Sequence, residues 1–303
     1  MDMPRRLWPL LPLLFWGCGP TPDTAVGPQY GDYPLRPARP LYHLAVHPLH
    51  NPEKLFASYQ PLVDHLNRQI PDASFELEAS RDYPAYEAKF RSREPELLLP
   101  NPWQTLEAIK VGYTVVATAG DDADFRGLLL VRRDGDIHEP SDLKGKVVSY
   151  PSPTALAACI MPQYFLRRQG VDVVRDLRNR YVGSQESSIM NVYLGAAAAG
   201  ATWPPPWRQF QQQHPQEAAA LKVAWETPPL VNNSVMVRND VPQAIRERLL
   251  AVLLHLGDSE TGRRILAAMD TDGFRPANDA RYAVVREYVA AFERQVRPIE
   301  IEP

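Results

Sequence analysis

The sequence predicts an α/β protein of two lobes, each a mixed, mostly parallel sheet flanked by helices, joined by a two-strand hinge. Three observations predict it. Short β-prone runs alternate with amphipathic helical stretches, the pattern of a sheet held between helical layers. After a Pro-rich leader, about 260 residues remain, enough for a large core and two lobes. Two chain crossings, near residues 125–130 and 230–237, split the alternating series into a first unit, an inserted second unit and a return to the first. A ligand cleft between lobes follows from such a hinge.

The first unit opens with a strand at 42–46 and a helix over 52–70, where Leu55, Tyr59, Leu62, Val63, Leu66 and Ile70 share one face. A strand at 75–77, a helix at 83–90 and an apolar strand at 97–99 follow; the last suits a strand covered on both sides. A helix at 103–110 and a strand at 113–117 complete the unit. The second unit runs through strands at 128–132, 147–150, 179–182, 199–202 and 221–224, with helices at 155–168 and 186–194. The strand at 234–237 returns the chain to the first lobe. It precedes a helix carrying Ile245, Leu249, Val252, Leu253 and Leu256 on one face and stopped at Gly257. A last helix at 279–296 places Tyr282, Val285, Val289, Phe292 and Val296 on one stripe. The expected boundaries are lobe 1 at 41–126 plus 235–303 and lobe 2 at 127–234.

The amino terminus sets the compartment. Arg5 and Arg6 precede an apolar run over 7–16, too short to span a membrane and shaped like a secretory signal, so residues 1–17 read as a signal peptide. Cleavage after Gly17 would leave Cys18 as an acylated amino terminus; simple secretion is the alternative. Residues 18–40 carry Pro20, Pro22, Pro28, Pro34, Pro37 and Pro40 and read as an extended tether. The expected location is therefore periplasmic or extracytoplasmic, with a membrane anchor through Cys18. Cys159 is the only other cysteine, so no intramolecular disulfide is available once Cys18 is acylated. A formal charge of −3 offers no basic stripe for phosphates, which argues against nucleic acid as a partner.

The run Ser141-Asp142-Leu143-Lys144-Gly145-Lys146-Val147-Val148-Ser149-Tyr150, followed by Pro151-Ser152-Pro153-Thr154, reads as turn, buried strand and a loop opening onto a helix. Ser152 or Thr154 would cap that helix, whose free amides point at an anion or a polar ligand edge. No nucleophile elbow, P-loop or Gly-x-Gly-x-x-Gly is present, so the chain does not read as an enzyme, and no cofactor is expected. His43, His47 and His50 cross a strand and a proline turn without the spacing of a ligand set, so no metal is expected either.

In order and spacing, several segments resemble the periplasmic solute-binding proteins of phosphate, phosphite and phosphonate importers, which have a type II periplasmic-binding-protein fold. They are Tyr59-Gln60-Pro61-Leu62-Val63-Asp64-His65-Leu66, Asp82-Tyr83, Ser141-Asp142-Leu143-Lys144-Gly145-Lys146, Pro162 and Val182-Gly183-Ser184-Gln185-Glu186-Ser187-Ser188. The resemblance covers residues 41–298 and implies a lipoprotein that closes two lobes on a small ligand and presents it to an ABC permease. The same event feeding a sensor kinase's periplasmic domain is the alternative; a pyrimidine-synthase-like enzyme on the same fold is more distant. A monomer is expected.

The chain departs from the family's ligand pattern. Ala155-Leu156-Ala157-Ala158 stands where a Ser-Thr-Ser-Gly run is usual, Gln185-Glu186 replaces His-Asp, and Ala198 replaces a later Asp. This points away from a plain phosphonate, toward another oxyanion or an organic cation or heterocycle caged by tryptophans and a carboxylate. The candidate ligand residues are His47, Tyr83, Asn101, Trp103, Tyr150, Ser152, Thr154, Gln185, Glu186, Ser187 and Trp203. His47 would donate a hydrogen bond. Trp203 and Trp207, around a rigid proline turn, also fit as core anchors, Tyr150 as a lid on the core, and Glu186 as a first-turn acid serving the helix dipole. Cys159 reads as a buried, inert thiol.

Overall fold

The computed structural model describes residues 39–299. The signal segment 1–17, Cys18 and the tether 18–40 up to residue 38 lie outside the described residues.

Strand β1 (Leu41–Val46) leads into α1 (Pro52–Gln69), which Asn51 caps by accepting from the Lys54 amide. Then come β2 (Ser74–Glu78), α2 (Tyr83–Arg91) capped by Asp82, β3 (Leu97–Leu99), α3 (Pro102–Lys110) and β4 (Tyr113–Ala119). The chain crosses and forms β5 (Leu128–Arg132), β6 (Val147–Tyr150), α4 (Met161–Arg168), β7 (Arg178–Tyr181), α5 (Gln185–Tyr193), β8 (Ala199–Thr202), α6 (Pro204–Gln213), α7 (Pro215–Ala219) and β9 (Leu221–Glu226). It returns through β10 (Ser234–Arg238), α8 (Gln243–Leu254), α9 (Glu260–Ala268), β11 (Phe274–Pro276) and α10 (Ala283–Gln295).

Two mixed sheets result. The first has six strands in the order β11-β4-β10-β3-β1-β2, the second five in the order β7-β6-β8-β5-β9. Parallel pairing is confined to β2-β1-β3 in one and β7-β6-β8 in the other. Those βαβ units put several strand carboxyl ends at one edge of each sheet, where open α/β sheets bind ligands. The fold is thus the two-lobed α/β arrangement, with the returning strand β10 antiparallel between β3 and β4.

Three local readings change. Trp203-Pro204-Pro205-Pro206-Trp207 is the start of α6 rather than a rigid turn. Its prolines occupy the first turn, where an N–H has no intrahelical partner and its absence costs nothing. The helix after β6 is capped by neither Ser152 nor Thr154: it begins after Ala155 with a π-helical turn over Leu156–Ile160 that runs on into α4. Helix α9 and edge strand β11 have no counterpart in the sequence pattern; α9 is short, and β11 pairs only with β4.

Two glycines fix the approach of these parts. A Cβ on Gly127 would stand 2.6 Å from the Ala157 carbonyl oxygen and 2.8 Å from the Pro162 ring, so the loop after β6 rests directly on the crossing segment. A Cβ on Gly200 would meet the Ser188 carbonyl oxygen at 2.5 Å, so the first half of α5 lies against β8. No helix among the described residues is long and apolar enough to cross a membrane.

Candidate functional site

Between the two sheets lies a small cavity with about 10 Å³ open to water, lined by His47, Tyr83, Asn101, Phe125, the 155–158 loop, Gln185 and Trp203. His47, Asn101, the loop and Trp203 follow the carboxyl ends of β1, β3, β6 and β8. The first-turn or capping residues of five helical segments meet there: Tyr83 of α2, Asn101 of α3, Ala155 of the segment leading into α4, Gln185 of α5 and Trp203 of α6. Helix amino ends carry a partial positive charge, worth about 0.3–1 kcal/mol to a nearby anion. But α6 opens on three prolines without N–H groups, and the amides of Ala85, Trp103 and Gln104 are spent on the Asp82 and Asn101 caps. The amide donors that face a ligand therefore come from the 155–158 segment and the start of α5. Among the described residues, no carboxylate lines this cavity.

His47 is 2% exposed, and its Nδ1 lies 3.0 Å from the Leu99 carbonyl oxygen. A carbonyl only accepts, so Nδ1 carries the proton. Burial lowers the ring's pKa from 6.5 to about 4, so the imidazole is neutral near pH 7. Its Nε2 is then a lone-pair acceptor, so the ring is set to accept at that nitrogen where the sequence reading expects a donor.

Direct hydrogen bonds join the two halves around the cavity. Asn101 spends its Oδ1 on the Trp103 and Gln104 amides and donates from Nδ2 to the Thr154 carbonyl at 3.3 Å. Gln185 donates to the Tyr83 hydroxyl at 3.3 Å and accepts from the Thr202 hydroxyl at 2.9 Å. The Thr154 hydroxyl donates to Glu87 Oε1 at 2.6 Å, and Gln104 Nε2 donates to the same oxygen at 3.3 Å. Glu87 is 1% exposed; burial raises its pKa against these hydrogen bonds and Arg91. Sequence reading did not select Glu87, because an acid inside an amphipathic helix carries no sign of the loop that covers it.

The structure therefore brings together five of the eleven candidates: His47, Tyr83, Asn101, Gln185 and Trp203. The others fall elsewhere. Trp103 is 4% exposed and packs in the core cluster. Tyr150 is fully buried at the end of β6, its ring 6.0 Å from that of Tyr181. Ser152 bonds to Thr154 and turns with it toward Glu87 instead of the cavity. Glu186 pairs with Lys54 of α1 and, at 3.4 Å, with His214, so it spans the two halves outside the cavity. Ser187 is exposed and bonds to Ser184. The cage of facing tryptophans with a carboxylate is not formed here. Cys159 is fully buried, its thiol pushed up to about 12 by desolvation. Phe125 and the 155–158 backbone are the parts of the lining that sequence reasoning does not name as contacts; Phe125 packs against Trp203 in a tilted pair, ring centroids 5.6 Å apart.

Residues 44–282 match the family described as ABC transporter, phosphonate, periplasmic substrate-binding protein. A curated relative, a probable ABC transporter phosphite binding protein PhnD1 from Prochlorococcus marinus (strain MIT 9301), is 24% identical over 186 residues. That match covers 57% of this chain and 63% of the relative, so the chain spans somewhat less than two thirds of the relative's length. Among solved structures, a binding protein component of an ABC phosphonate transporter from Pseudomonas aeruginosa superposes with a TM-score of 0.79 at 15% identity, covering 85% of this chain and 88% of that one. PhnD1 from Prochlorococcus marinus (MIT 9301), in complex with methylphosphonate, superposes with a TM-score of 0.76 at 20% identity, covering 84% and 98%.

Proposed function

The chain belongs to the phosphonate family of ABC-transporter periplasmic substrate-binding proteins, and on that premise we propose that it binds a small phosphorus oxyanion between its lobes and presents it to an ABC permease. The observation that carries this reading is a cavity without a lining carboxylate onto which the 155–158 segment and the start of α5 open. Ala155, Ala157 and Ala158 remove the hydroxyls that the family pattern supplies, but they leave the backbone amides of the segment they open, and helix ends suffice to hold an anion. As it stands the cavity is open to little more than one water, about 10 Å³, so a ligand enters only as the lobes part, which favours a compact one.

His47 adds selectivity. Its Nε2 has a lone pair to satisfy, so a ligand with an acidic O–H fits better than an anion with none. A singly protonated phosphonate, phosphite or phosphate meets that demand; a sulfonate does not.

The mechanism is hinge closure of lobe 1 (41–126 plus 235–303) on lobe 2 (127–234), the ligand favouring the closed state by what it binds better there. Asn101–Thr154, Gln185–Tyr83 and Glu186–Lys54 are the contacts that closure forms. Residues 1–17 direct export, and Cys18 carries the anchor that holds the domain at the membrane. Calorimetric titration with methylphosphonate, phosphite, phosphate, methanesulfonate and choline tests the reading. The phosphorus oxyanions bind, methanesulfonate binds at least about tenfold more weakly, the scale of one lost hydrogen bond, and choline does not bind. Saturable choline binding at this cavity with no response to any oxyanion would sink it.

A further inference from the structure

A second cavity lies on the other side of Trp203, with about 40 Å³ open to water, room for an ammonium head group but not for a ring. Its walls come from α1 (Tyr59), the crossing segments 119–124 and 232–233, the start of α6 (Trp203, Pro205) and the stretch between α9 and β11 (269–274). Its chemistry is opposite to that of the first. Asp121, Asp124, Asp270 and Asp272 line it. Arg208 spans two of them, Asp124 at 2.8 Å and Asp270 at 3.1 Å, and Arg275 holds Asp272 at 2.6 Å. Asp121 has no ion-pair partner among the described residues; its Oδ1 accepts only from the Ala123 amide. With Arg126 also 3.7 Å from Asp124, four carboxylates face three guanidiniums, which still leaves the cavity negative, with Asp121 the carboxylate not in an ion pair among the described residues.

A second observation points to an occupant. Asn233 lines the cavity, is 5% exposed, and its side-chain Oδ1 is buried with no hydrogen-bond partner. The Thr271 hydroxyl, also in the lining, is likewise without one. Buried acceptors left unmade cost about 1–3 kcal/mol each, so a donor that fills both is favoured. Trp203, Tyr59 and Phe274 supply aromatic surface beside them, which attracts a cation's apolar body.

We propose that this second cavity binds a small primary ammonium, its N–H groups inside and any short apolar tail toward the mouth. The cation's N–H groups reach Asn233 and Thr271, and its charge sits among the aspartates. Because both lobes and both crossing segments build the walls, such a ligand favours the arrangement seen here and couples to the hinge.

The test is calorimetric titration of the protein with methylammonium, with and without saturating methylphosphonate. Asn233→Asp places a carboxylate at the unmet acceptor and tightens methylammonium binding about tenfold, the difference between a neutral and a charge-assisted hydrogen bond. Asp270→Asn weakens it; asparagine tolerates the left-handed backbone at this position, where φ is 51°, and Arg208 keeps Asp124. Methylphosphonate does not compete. The proposal is overturned if methylammonium gives no saturable heat, if both variants bind it like the parent, or if methylphosphonate displaces it, which places it in the first cavity. Water alone filling the two acceptors gives the first of these outcomes.

Discussion

Replacing His47 by asparagine removes one titration from the folded state, and its size follows from the structure. The imidazole is fully buried, and its pKa falls from 6.5 to about 4. The folded pKa lies below the unfolded one, so the stabilisation is complete above about pH 6.5 and is lost as pH falls toward about 4. Between about pH 7.5 and about pH 5 the unfolded chain takes up a proton that the folded ring refuses, which costs about 2 kcal/mol of stability. The substituted asparagine keeps a side-chain N–H for the Leu99 carbonyl but does not titrate. Urea unfolding of both proteins at the two pH values isolates the difference, since His50, whose pKa is also lowered to about 4, is present in both. The parent loses about 2 kcal/mol more than His47→Asn over this interval. Equal losses would refute the neutral, Nδ1-protonated ring and with it the acceptor role of Nε2.

Three further outcomes follow from packing and bonding at the cavity. Trp103→Ala lowers stability by about 3–5 kcal/mol, read from urea midpoints, because the indole is core and not a ligand wall; its effect on methylphosphonate affinity in the protein that remains folded is small. Gln185→Ala weakens methylphosphonate binding by about tenfold or more in calorimetry, since it removes a lining amide and the bond to Tyr83, while the melting temperature shifts by only a few degrees. Gly127→Ala forces the new methyl against the Ala157 carbonyl oxygen, destabilising the protein by about 1–3 kcal/mol and weakening ligand binding, because the 155–158 loop must shift.

Most of the architecture is legible in the sequence because its patterns are local: helix 52–70 shows its 3.6-residue periodicity plainly and strand 97–99 its uniform apolar run, while polar strand β7 (Arg178–Tyr181) is legible only from its place between helices. Helix α6 is hidden by its own start: three consecutive prolines read as a turn unless they are placed in the one part of a helix that needs no N–H. Within the site, the residues legible in advance are those just past strand carboxyl ends or at helix starts: His47, Asn101, Gln185, Tyr83 and Trp203. Position along an element predicts them. Trp103, Ser152 and Thr154 also sit at such positions, but their side chains point to the other side of the loop or helix, and facing is a tertiary fact. Glu87 shows the same limit from the opposite direction, since only the folded chain reveals that the 151–158 loop lies over it.

If an oxyanion sits on the 155–158 segment and the start of α5, a crystal structure of the protein grown with methylphosphonate places phosphonate oxygens within about 3 Å of backbone nitrogens at the 155–158 loop and of the Gln185 side chain, with one oxygen at His47 Nε2. Methylphosphonate bound elsewhere on the protein, or an empty cavity under saturating ligand, would contradict it.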